Sequence, residues 1–199
     1  MAGDGTVPTM TITATEVNDG DTSNDATLSL MFTSSEATTN FAASDISVSG
    51  GTISDFDESS STVYTATFTP TSDGACTIDV ARGAFTDSVG NDNTAATQFN
   101  WTYDSTGPTM TITATEVNDG DTSNDATLSL MFTSSEATTN FAASDISVSG
   151  GTISDFDESS STVYTATFTP TSDGACTIDV ARGAFTDSVG NDNTAATQF

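Results

Sequence analysis

Residues 62–70 read Thr62-Val-Tyr-Thr-Ala-Thr-Phe-Thr-Pro70. Tyr64, Ala66 and Phe68 alternate with threonines, and the run stops at a proline. A period of two puts alternate side chains on opposite faces of an extended strand. Threonines and aromatics suit a pleated, half-buried surface, and proline ends the run because it lacks a ladder donor. The same alternation recurs on both sides. Residues 9–15 turn Met10, Ile12 and Ala14 inward, residues 26–33 turn Leu28, Leu30 and Phe32 inward, and residues 45–49 turn Ile46 and Val48 inward. Gly50-Gly51 signals a turn before a short strand at 52–56. Residues 75–81 carry Cys76, Ile78 and Val80 on one face, and residues 95–103 carry Phe99, Trp101 and Tyr103. No segment has a helical period. Seven short strands with turn signals between them predict an all-β fold, a two-sheet antiparallel sandwich.

The chain holds this pattern twice. Residues 8–99 return unchanged as residues 108–199, a period of 100 residues. That length suits one small domain and exceeds a solenoid repeat. Domains are therefore expected at 1–103 and 104–199, as two tandem seven-strand sandwiches. The second copy ends at Phe199 without counterparts of Asn100 to Asp104, so its last strand is expected to be cut short, by design of the chain or as a groove for a neighbour's strand. Identity this strict fits recent duplication, homogenisation of a long array, or deliberate concatenation. The opening MAGDGTVP has neither the basic nor the apolar region of a signal peptide. Residues 1–3 are expected to be additions to a native chain that extends further on both sides.

Charge narrows the function classes. The 199 residues include 28 acids, two arginines (Arg82 and Arg182), no lysine and no histidine, for a formal charge of −26. Such a surface repels nucleic acid and anionic lipid and attracts cations. No apolar run is long enough to span a bilayer, so direct membrane insertion is not expected. Disorder is also excluded, because hydrophobic residues make up 35% of the chain and fall in strand register. Without histidine or lysine there is no Ser-His or Ser-Lys pair and no imidazole-ligated metal, and catalysis finds no support. The carboxylate pair Asp55 and Asp57 could in principle hydrolyse a glycoside, but no cleft is apparent. One cysteine per copy, Cys76 and Cys176, forms no intradomain disulfide and reads as a small buried hydrophobe, with an intermolecular crosslink as the alternative. The outward row Thr9, Thr11, Thr13 and Thr15 suits ordinary exposed strand positions as well as an ice-like surface. Asn100-Trp101-Thr102 is a glycosylation sequon.

Several motifs occur in a fixed order: Asp4-x-Thr6-x-Pro8 before the first strand, Ser35-Glu36-Ala37, residues 45–51 (Asp-Ile-Ser-Val-Ser-Gly-Gly), residues 64–70, and Thr86-Asp87-Ser-Val-Gly-Asn91. Each returns 100 residues later. Together they resemble bacterial Ig-like domains over nearly the whole chain. The resemblance implies an immunoglobulin-like sandwich and a place in the tandem arrays of large surface or secreted adhesin-type proteins, where such modules act as extenders. It implies an extracellular location and no enzymatic activity. Some family members bind calcium between domains. The partners it implies are neighbouring copies of the repeat. The rival readings are an adhesive module binding a glycan or a protein, and a subunit of an extracellular filament.

Strand direction reverses at each connection, which sorts the loops by pole. Loops 34–44, 57–61 and 82–94 share the pole at which a copy begins. Loops 16–25, 50–51 and 70–74 share the opposite pole. Asp4, Glu36, Asp87, Asn91 and Asp92 thereby converge in the first copy. Asp104, Glu136, Asp187, Asn191 and Asp192 converge in the second, with Asp104 in the linker 104–108. Calcium takes six to eight oxygen ligands, and such a group could supply them. Turn and capping chemistry is the alternative, because Asp and Asn also bond their own backbone in turns. A weaker candidate is the loop bearing Asp19, Asp21 and Asp25, with Asp119, Asp121 and Asp125 in the second copy. With Ser23, the alternate-residue spacing starts like an EF-hand, but Leu30 stands where the twelfth-position Glu belongs and Asn24 where the glycine belongs. Of the two readings, a weaker cation site and a plain acidic turn, the turn is favoured.

Overall fold

The strand read from Thr62 to Pro70 lies inside a four-stranded sheet, where both of its edges can pair. The computed structural model describes residues 4–199, and the expectation placed on residues 1–3 lies outside them. The chain divides into two compact units, Met1–Ser105 and Thr106–Phe199. In the first, β1 (Met10–Ala14), β3 (Leu28–Ser34), β6 (Val63–Pro70) and β5 (Gly51–Ser60) pair in that order. The second sheet orders β2 (Thr22–Ser23), β8 (Phe99–Tyr103), β7 (Gly74–Val80) and β4 (Ile46–Ser49). Register sets Leu28 opposite Phe68, Leu30 opposite Ala66 and Phe32 opposite Tyr64, so one face of β3 and β6 is continuously apolar. The facing strand β7 adds Cys76, Ile78 and Val80, all buried. The expected inward residues thus close one core between two sheets.

Three features depart from the expected plan. β5 continues to Ser60, through residues expected to form a loop. Ser60 Oγ accepts the N–H of Thr62 and of Val63, which tightens the connection to β6 and lets the ladder run on. A register shift between Ser54 and Asp57 accommodates this, with Asp55 in the left-handed region at φ 53°. Second, β2 pairs with β8 in parallel, so the described residues of the first unit form eight strands and are not wholly antiparallel. Third, two loop aromatics complete the core. Phe41 and Phe85 are 5% and 1% exposed, and Phe41 meets Tyr64 edge-on at 4.9 Å and Phe85 at 5.3 Å. The Gly50-Gly51 turn is sterically required: Gly50 has φ +75°, and a Cβ on Gly51 would overlap the Phe68 ring.

The second unit has β9 (Met110–Ala114), β10 (Leu128–Ser134), β13 (Val163–Pro170) and β12 (Gly151–Ser160) in its larger sheet, and β11 (Ile146–Ser149) with β14 (Thr177–Val180) in the other. It has six strands where seven were expected, because the residues of β8 and its partner β2 have no strand counterparts here. β14 is four residues long where β7 has seven. Phe199 still exchanges both backbone hydrogen bonds with Ile178, at 2.9 and 3.0 Å. Among the described residues, no helix is long and apolar enough to cross a membrane.

Trp101 closes the core of the first unit. It is 1% exposed, meets Phe68 edge-on at 6.0 Å, and donates from Nε1 to Ser23 Oγ at 3.0 Å. Trp101→Ala is expected to destabilise that unit by about 3–5 kcal/mol through lost burial and the cavity left behind. Urea denaturation followed by circular dichroism checks this, and a loss below about 1 kcal/mol would contradict it.

Candidate metal centre

Three loops meet at the pole where the first copy begins. Asp4 precedes β1, Glu36 follows β3, and Asp87 lies in the 82–94 connection. Several bonds hold them in place. Thr38 and Asp87 form an antiparallel bridge between the second and third of these segments. Thr94 N–H donates to the Pro8 carbonyl at 3.0 Å. Asn91 Nδ2 donates to the carbonyls of Asp4 (3.2 Å) and Thr6 (3.0 Å), pinning the leader to the loop. Asn93, fully buried, fastens the loop from inside: its Oδ1 accepts Phe85 N–H at 2.9 Å, and its Nδ2 donates to the carbonyls of Ala81 and Thr94.

Asp87 is built to stay ionised. Its Oδ1 accepts the N–H groups of Val89 (2.9 Å), Gly90 (2.8 Å) and Asn91 (2.9 Å), and its Oδ2 accepts Asn91 Nδ2 at 2.7 Å. Burial opposes the charge, but these donors outweigh it and hold the carboxyl below its ordinary range. Glu36 is pushed the other way. Burial, the charges of Asp4 and Asp87, and a carboxyl–carboxyl hydrogen bond with Asp87 all raise its pKa. Its Oε2 is buried and has no hydrogen-bond partner.

Carboxylate oxygens of Asp4, Glu36 and Asp87 all lie within 4.8 Å of one another. Asp104, Glu136 and Asp187 form a second such group. In the second unit Asp187 Oδ1 again accepts Val189 and Asn191 N–H, at 3.0 and 2.9 Å, and Asn191 Nδ2 donates to the Thr106 carbonyl at 3.2 Å. Both groups could hold a metal ion. The donors are hard oxygens without histidine or thiolate, which suits calcium or magnesium better than a transition metal. An orphaned buried oxygen at Glu36 and like charges held together fit a site that takes a cation.

The other candidates are placed differently. Asn91 and Asn191 position Asp87 and Asp187. Asp92 is exposed and lies beside Gly83, outside the carboxylate group, and Asp192 lies likewise beside Gly183. Asp21 Oδ2 accepts the backbone and side-chain N–H of Asn18, and Asp19 Oδ1 accepts Asn100 N–H at 2.7 Å, so this loop does turn chemistry and anchors β8. Asp25 N–H donates to Ser23 Oγ. Asp121 repeats the Asn118 bonds, and Asp119 and Asp125 are exposed. Asp55 and Asp57 are exposed on the edge strand β5, bonded to Ser54 and Ser59. The backbone donors Val89 and Gly90 escaped sequence reading; their signal is the spacing of Asp87 to a glycine three residues on.

A family model described as a bacterial Ig-like domain matches residues 4–103 and again 104–199. No curated protein matches the chain in sequence. Among solved structures, the Escherichia coli adhesin FdeC aligns with 98% of this chain and 64% of its own, at 16% identity and TM-score 0.45. Yersinia pseudotuberculosis InvD aligns with 96% of this chain and 56% of its own, at 19% identity and TM-score 0.38. Invasin, a bacterial integrin-binding protein, aligns with 85% of this chain and 36% of its own, at 19% identity and TM-score 0.44. The chain spans less than two thirds of the length of each.

The pKa directions give a signed expectation. The raised pKa of Glu36 means that its ionised form costs stability; the cost is absent below the ordinary glutamate range and complete above its raised value. The lowered pKa of Asp87 contributes stability above the ordinary aspartate range that is lost as pH falls through its depressed value. Without metal at pH 7, Glu36→Gln is expected to melt higher than the unaltered chain, and the gap should close as pH drops through the glutamate range. Differential scanning calorimetry in chelator measures it. A variant melting below the unaltered chain at pH 7 would show that no like-charge cost resides at Glu36.

Proposed function

The chain belongs to the bacterial Ig-like domain family, and from that premise we propose that it is an extender segment of a larger extracellular surface protein, stiffened by calcium at each domain entrance. The observation carrying this reading is the company kept by Asp4. That residue precedes the first sandwich, yet its carboxylate lies with Glu36 and Asp87 from two loops of the sandwich. Asp104 stands 100 residues later, in the linker, and Glu136 and Asp187 stand 100 residues after Glu36 and Asp87. A cation on these three residues would tie the linker to the domain that follows it.

The linker 104–108 reads Asp-Ser-Thr-Gly-Pro. Its serine and glycine allow bending, and a five-residue connection has little apolar surface to restrain it. Ligation restricts that freedom and neutralises part of the repulsion. An ion binding only the folded form adds stability as RT ln(1 + [L]/Kd), about 2.7 kcal/mol at a hundredfold excess over Kd. Extracellular modules bind calcium at about 0.1–1 mM, so the effect belongs at millimolar calcium. The array then works as a spacer, its partners are neighbouring copies, and no catalysis is required of it.

Small-angle scattering tests the mechanism. Calcium is expected to increase the maximum dimension and the melting temperature of the unaltered chain, with reversal by chelator. The double variant Asp104→Ala, Glu136→Ala should lose the change in dimension. If dimension and melting temperature of the unaltered chain ignore calcium, the acids serve only to solvate the surface.

A further inference from the structure

The leader of the first copy and the linker before the second differ at two positions. Residues 4–8 read Asp-Gly-Thr-Val-Pro, and residues 104–108 read Asp-Ser-Thr-Gly-Pro. Each difference has a use in the linker. Ser105 stands where the first copy has Gly5. Its N–H and its hydroxyl both donate to Asp73 Oδ1, at 3.0 and 2.6 Å. Asp73 lies in the exposed turn between β6 and β7, and the first residue of β7, Gly74, pairs with Tyr103 at the end of β8. The N–H of Asp104 donates to the Ser23 carbonyl at 3.0 Å. The two linker residues that follow β8 are therefore fastened to the first unit.

The next three residues are fastened to the second unit. Asn191 Nδ2 donates to the Thr106 carbonyl at 3.2 Å, and Thr194 N–H donates to the Pro108 carbonyl at 3.0 Å. Gly107 stands where the first copy has Val7. A Cβ on Gly107 would overlap the Asp192 carbonyl oxygen, so the linker backbone passes against the 182–194 loop only because that side chain is missing. Val7, at the same place in the first copy, turns its side chain to solvent and is 43% exposed. The division between the two compact units falls between Ser105 and Thr106, where the bonds change sides.

We propose that the joint between the two copies is the single link Ser105–Thr106, with Asp73 as the residue that clamps its first side. A carboxylate that accepts two donors makes charge-assisted bonds, which are stronger than neutral ones. The peptide itself is planar, so the joint turns on ψ of Ser105 and φ of Thr106, the dihedrals that flank it. This narrows the bending that serine and glycine allow in a linker. Here the serine is a hook to the unit before, and the glycine is a point of close contact with the unit after. Neither acts as a loose spacer. The copies therefore turn about one fixed point instead of drifting on a tether from residue 104 to residue 108. The joint is made by hydrogen bonds and close packing, so it goes beyond the calcium reading and stands without it. A cation would lock a joint whose place is already set.

The experiment measures nitrogen-15 relaxation on the full 199-residue chain in chelator. In the unaltered chain the amides of Asp104, Ser105, Thr106 and Gly107 are expected to show order parameters of about 0.85, those of ordered backbone. The amides of residues 9–103 and of 109–199 should nevertheless fit two different rotational diffusion tensors. Asp73→Ala should drop Ser105 below about 0.6 and leave Thr106 and Gly107 ordered. Ser105→Gly removes the hook without touching the 70–74 turn and should loosen the same side alone. Core amides of both units serve as the check that each variant is folded. Low order from 104 to 107 in the unaltered chain, one diffusion tensor for both units, an unmoved Ser105 in Asp73→Ala, or a loss of order that spreads to Thr106 and Gly107 would each overturn the proposal.

Discussion

The carboxylate of Asp87 stays charged beside Glu36 and Asp4 because three backbone N–H groups and the Asn91 amide converge on it. That convergence organises the whole pole. It requires the turn from Asp87 to Asn91, with Gly90 at φ +97°, and the turn in turn places the Asn91 amide against the leader carbonyls. The strand entering the domain, the loop after β3 and the 82–94 loop are thus fixed by one anion and the groups that serve it. Like charges within 4.8 Å then need an answer. Glu36 shows one, a carboxyl whose pKa is raised by burial and by its neighbours' charges; a bound cation is the other.

Below the pole the sandwich depends on more ordinary forces. Alternating side chains bury two faces against each other, and Phe41 and Phe85 are drawn from loops to cap the end of the core. The opposite end is closed by β8 and its tryptophan. Because the second copy repeats every residue up to Phe199, the difference between units isolates what that strand does. Its absence exposes Leu128 and Cys176 and shortens the partner strand, while the core around Phe132, Tyr164 and Phe185 is unchanged, each at most 1% exposed. Edge pairing and core packing are therefore separable in this fold.

Much of this was legible in the sequence. The strands with clean alternation, such as 62–70 and 28–34, carry their own register, and the motif order carries the family. Direction reversal at each loop is enough to assign Asp4, Glu36 and Asp87 to one pole. What escaped was local. Phe41, Phe85 and Asn93 lie in connections without periodicity, so nothing in the residue order marks them as core. Asn91 and Asp92 are neighbours that part company because turn dihedrals aim them differently: one amide faces Asp87, while the adjacent carboxylate lies by Gly83. The parallel pair β2–β8 needs only two residues and leaves no pattern at all.

The most direct test of the cation account is calorimetric titration of the metal-free chain with calcium at pH 7. Two groups of three carboxylates predict two ions bound per chain, and Glu36→Gln should leave one. No binding, or the same stoichiometry and affinity in the variant, would contradict the account and place any calcium elsewhere on the acidic surface.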